Sequence, residues 1–86
     1  MTREEKLEII INTTMKNAYM GRNTTYTDLR KALKWDEGAE LSLGHYLNDA
    51  ANLHLERTGD YSLLARVVQK ASGKPTGYAK WLKEKM

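Results

Sequence analysis

Apolar positions fall into helical stripes separated by short β-prone runs, and their order along the chain predicts a fold. Leu7, Ile10, Ile11, Thr14, Met15 and Ala18 recur at steps of three and four, the spacing of one helix face, until Gly21 ends the run. Thr2 and Glu5 make a capping-box pattern at its start, so the helix is predicted to begin there. Ile9 falls on the opposite face, as a stray exposed aliphatic or as a contact point for a partner. Thr24-Thr25-Tyr26 reads as one small strand. Thr27 is the expected cap of a second helix, with Leu29, Ala32 and Leu33 as its buried edge and Arg30, Lys31 and Lys34 toward solvent. Trp35 is expected to cover the end of that helix, and Asp36-Glu37-Gly38 to form the turn beyond it.

Ser42 is the expected cap of a third, longer helix that stops at Gly59. At 100° per residue, Leu43, Leu47, Ala50 and His54 share its inward face. The outward face carries His45, Asn48, Asp49, Asn52 and Glu56, a row rich in hydrogen-bonding groups. Beyond Gly59, Tyr61 to Gln69 is strand-like, Lys70 to Thr76 is turn-like, and Gly77-Tyr78 is the returning arm of a hairpin. Pro75 suits the tip or an edge, and AKWLKEKM closes the chain as a short basic helical tail docked through Trp81 and Leu82. Helix, strand, helix, helix and hairpin is the order of a winged-helix domain. The expectation is therefore an α+β fold, one winged-helix domain over residues 1–86, with three helices around a core and a small sheet sealing the open side.

Composition removes several kinds of chemistry. The 86 residues contain no cysteine, which excludes disulfides, thiolate nucleophiles and cysteine-ligated zinc, and makes a reducing cytoplasm the expected compartment. Charges interrupt the apolar residues of the opening twenty, so neither a secretory leader nor a membrane span is expected. Fourteen Lys and Arg against eleven Asp and Glu leave a net charge of +3, a mild bias toward polyanions.

Four blocks carry a more specific likeness: TTYTDLRKAL, LGHYL, ARVV and GKPTGYAKWL. Over residues 24 to 82 they resemble the DNA-binding winged-helix domain shared by the O6-alkylguanine alkyltransferases and the catalytically silent alkyltransferase-like proteins. The chain is also similar to small phage-type winged-helix proteins that end in a strand, a glycine-rich turn and an aromatic. The resemblance implies a winged-helix fold and DNA as partner, and it matches Tyr26 to the tyrosine of the family's strand-to-helix turn, although a core or strand tyrosine accounts for that residue equally well. Where the family pattern has proline, cysteine and histidine ahead of an arginine-valine pair, this chain has Leu63-Leu64-Ala65 ahead of Arg66-Val67. An alkyl acceptor is an activated thiolate, and Leu64 with Ala65 supplies neither thiol nor base, so alkyl transfer is excluded. The family's arginine finger aligns near Leu41, which cannot play that part.

The remaining chemistry points away from an enzyme. His45 and His54 are nine residues apart on opposite sides of one helix, and GKPTG lacks the following lysine-serine or lysine-threonine of a phosphate-binding loop. Asp36-Glu37 lies in a turn with no nucleophile nearby, so no metal and no cofactor are expected. Two binding roles follow. In the first, double-stranded DNA is the partner: the third helix enters the major groove with Ser42, His45, Tyr46, Asn48, Asp49 and Asn52, while Thr27, Arg30, Lys70 and Lys74 hold phosphates. In the second, the face around His45, Tyr46 and Asp49 binds a host protein, with Tyr46 as anchor, in the manner of a phage or mobile-element modulator. A solvated helix face and an ordinary lysine-tipped hairpin account for the same residues.

Overall fold

Helix α1, Arg3–Tyr19, starts where its capping box places it. Thr2 Oγ1 accepts from the Glu5 amide at 3.1 Å and Glu5 Oε1 from the Thr2 amide at 3.3 Å. The helix closes at Met20, and Gly21 takes a left-handed φ of 78° that a side chain would disfavour. This computed structural model describes residues 2–34, 40–75 and 77–86, and only the backbone of 40–42. The parts expected of Trp35 and of the turn Asp36-Glu37-Gly38 lie outside the described residues.

Strand β1, Thr24–Thr25, leads directly into α2, Tyr26–Leu33. The cap of α2 is Thr25 rather than Thr27: Thr25 Oγ1 accepts from the Asp28 amide at 3.2 Å and Asp28 Oδ2 accepts from the Thr25 amide at 3.0 Å. The threonine two places earlier wins because only it has an acid three residues on. Helix α3, Glu40–Thr58, includes Ser42 within its span instead of beginning at it, and Gly59 (φ 76°) ends it as expected.

The segment after α3 departs most from expectation. Of Tyr61–Gln69 only Val67–Val68 forms a strand, β2, and Leu63–Arg66 winds as a 3₁₀ turn. Leu and Ala lack the β-branching that Val67 and Val68 carry, and the 3₁₀ turn buries Leu63 and Leu64 together. Strand β2 pairs with β1 in parallel, Thr24 opposite Val67 and Thr25 opposite Val68. The antiparallel return is a single bridge, Val68 to Pro75, and Gly77-Tyr78 is not a strand: Tyr78 begins α4, Tyr78–Lys85. The described residues thus form an α+β fold of four α-helices and a two-stranded parallel sheet, with a tight tongue where the sequence predicts a hairpin.

One buried cluster joins these elements, drawing Leu7, Ile10 and Ile11 from α1, Leu29 and Leu33 from α2, Leu43, Leu47, Ala50 and Ala51 from α3, and Leu63, Leu64, Val67 and Trp81 from the rest. Ile9, expected on the far face, packs half-buried against it. Thr14 Oγ1 is buried with no hydrogen-bond partner. His54 is buried on the inward face of α3, as expected, with Nε2 at 3.0 Å from Asp60 Oδ2.

The Asp60 carboxyl makes stability depend on pH. Burial pushes the Asp60 carboxyl upward, but the Ser62 hydroxyl, His54 and the Ser62 amide outweigh it and hold it at about 2, below its ordinary 3.8. A carboxyl more acidic when folded stabilises above its unfolded pKa and loses that contribution as pH falls through 3.8 toward 2. Solvent reaches Asp60, so the gain is at most about 1 kcal/mol. The gap in urea midpoint between wild type and Asp60→Asn should narrow as pH is lowered from about 5 to about 2. A gap that stays constant across that range would remove Asp60 as the titrating group.

Candidate nucleic-acid interface

Strand pairing and helix packing bring α2, α3, the 3₁₀ turn and the start of α4 around one open hollow of about 270 Å³. Leu47, Leu64 and Val67 make its floor, and Tyr26, His45 and Asn48 line it along the first turn of α2 and the first half of α3. Gly44 and Gly77 complete the lining, and Gly77 is where the chain comes back from the tongue. Tyr26 and Leu64, remote in sequence, both line the hollow. The aliphatic side chains of Leu47, Leu64 and Val67 make the floor apolar, while Tyr26, His45 and Asn48 bring polar atoms to its walls.

The tongue, Gln69–Pro75, owes its shape to its own bonds. The Gln69 amide donates to Lys74 O at 3.0 Å and the Gly73 amide to Gln69 O at 2.8 Å, while the Lys74 amide reaches Ser72 Oγ at 3.3 Å. Lys70 and Lys74 are both fully outside the core. Gly73 adopts a φ of 68°, which lets so short a loop turn back.

The outward row of α3 is divided. His45 and Asn48 are exposed, as the helical spacing predicts. Asn52 is not available: its Oδ1 accepts from Trp81 Nε1 at 2.9 Å, the α4 side chain that reaches that side of α3. Asp49 is held by an ion pair with Arg3. Tyr46 is half-buried against the core, with Arg3 at 6.0 Å and Lys6 at 5.2 Å from its ring centroid, so cations from α1 occupy the ring proposed as an anchor. Thr27 and Arg30 are half-buried on α2, the Arg30 guanidinium reaching Thr27 Oγ1 at 3.4 Å. The side chains of Leu41 and Ser42 lie outside the described residues.

Comparison with protein-family models, with curated proteins and with solved structures finds no match to this chain. Sequence reading left Arg3 and Gly77 out of the site, and placed Leu47 and Trp81 as packing residues without foreseeing that Leu47 joins Leu64 and Val67 as the floor or that Trp81 engages Asn52. The floor had a signal, since Leu63-Leu64 is an apolar pair next to Val67-Val68. The partners of Asp49 and Asn52 had none, because Arg3 and Trp81 are remote in sequence and helical periodicity cannot report them. Among the described residues no group of three or more His, Asp or Glu is placed to hold a metal ion, and no helix is long and apolar enough to cross a membrane.

Proposed function

We propose that this chain is a non-catalytic binder of double-stranded DNA that uses the first half of α3 as its groove-facing edge and the tongue as a wing. The observation that carries the reading is the convergence of the α2 start, the exposed edge Gly44-His45-Asn48 and the tongue's return on one hollow. A winged helix presents the same three parts to a duplex. Asn48, exposed where Asn52 is engaged, becomes the side chain suited to a base edge, and Lys70 and Lys74 the ones suited to phosphates.

The test is duplex binding across a salt series. Replacing both tongue lysines, Lys70→Ala with Lys74→Ala, should weaken binding to every sequence and reduce the slope of log affinity against log salt by about 1.8, the value for two lost phosphate contacts. Asn48→Ala should affect particular sites only. If the double variant keeps the wild-type slope, the tongue is not a wing.

A protein partner is the second reading, favoured by the apolar floor of the hollow, which suits a side chain better than a phosphate. No binding of the wild-type chain to duplex at low salt would leave that reading in its place.

A further inference from the structure

The hollow on α3 does not end at Asn48. Asn48 and Gly77 also line a second, smaller hollow of about 150 Å³, whose other walls are Lys80, Trp81 and Glu84 of α4. The two depressions adjoin at Asn48 and Gly77, so the surface proposed to face DNA borders directly on the C-terminal helix. That helix is fixed there: Trp81 is buried in the core and its indole is bonded to Asn52. Trp81 facing inward leaves Lys80 and Lys83 outward, and only Lys80 lines the hollow beside Asn48. Among the described residues Lys80 has no ion-pair or hydrogen-bond partner.

We infer that α4 is a second arm of the DNA interface, with Lys80 contacting a phosphate next to the base edge read by Asn48 and Glu84 tempering that contact. This rests on the DNA-binding reading above. The side chains carry opposite charges in one hollow, so they make opposite predictions, which a general basic surface would not. Lys80 attracts the phosphate chain and releases a counterion on contact, while Glu84 repels it.

Salt-dependent binding to a random-sequence duplex tests this with three single variants, each on the exposed surface and checked for wild-type helicity. Lys80→Gln should lower affinity several-fold and reduce the salt slope by about 0.9, one phosphate. Glu84→Gln should raise affinity several-fold. Lys83→Gln makes the same charge change as Lys80→Gln outside the hollow, and should leave the slope close to wild type. Equal effects of Lys80→Gln and Lys83→Gln, or no change from either hollow residue while the wild type binds, would overturn the role of α4 and leave the tongue and α3 untouched. Wild-type protein that ignores duplex at low salt would overturn both readings together.

Discussion

Trp81→Ala should cost about 3–5 kcal/mol of folding stability, the usual range for removing a buried aromatic. That is a large share of what a chain of 86 residues has to lose, about 4–13 kcal/mol at roughly 0.05–0.15 kcal/mol per residue. The ring is 4% exposed within the core cluster, its N–H satisfies Asn52 at 2.9 Å, and the Tyr61 ring lies 6.2 Å away at a tilt of 58°. Packing rather than the single hydrogen bond dominates the loss, because an isolated neutral bond contributes only about 1 kcal/mol. Trp81→Phe, which keeps a ring and loses the N–H, should therefore recover most of the stability. Urea denaturation of the two variants checks this. A wild-type midpoint for Trp81→Ala would show that α4 is not part of the folded core, and the surface built on Lys80 and Glu84 would lose its footing.

Why α4 matters this much was only half legible. The docking of Trp81 and Leu82 follows from two apolar residues in a basic tail, and both pack on the body. The start of α4 was not legible, since its cap, Gly77, makes no side-chain bond to the helix, and Gly77-Tyr78 next to a turn reads naturally as a returning strand. The same division runs through the molecule. Local chemistry announces α1 through Thr2 and Glu5, and the end of α3 through Gly59. It misplaces the cap of α2, because assigning Tyr26 to the strand pushes the helix start past Thr25. It also fails to say which outward residues of α3 stay available, since Arg3 on Asp49 and Trp81 on Asn52 are matters of packing between distant segments. Helical spacing identifies a face, and neighbouring helices decide how much of it remains.

Asn17 supplies the clearest case of a residue that periodicity passes over, and its truncation carries the second large expected effect. It is buried at the end of α1, where its Nδ2 donates to Thr24 Oγ1 at 2.9 Å and its Oδ1 accepts from Arg22 Nε at 3.1 Å. Its carbonyl also accepts from the Arg22 amide at 2.9 Å, so one residue folds the chain back around Gly21 and pins β1. Thr24 is wholly buried, and Asn17→Ala leaves its hydroxyl without that donor in a site closed to water. The expected loss is about 2–3 kcal/mol: a bond of about 1 plus the desolvation of a stranded polar group. Arg22→Ala should cost under about 1 kcal/mol, because that side chain is exposed and water replaces the bond. Repeating Asn17→Ala in a Thr24→Val background removes the stranded hydroxyl, so the penalty should shrink by about 1 kcal/mol or more, read as the coupling in a double-mutant cycle. Strictly additive costs would mean that the two side chains do not act as a pair. Strand β1 would then be held to α1 by the Arg22 turn and by its own pairing with β2, and the placement of the tongue would not depend on Asn17.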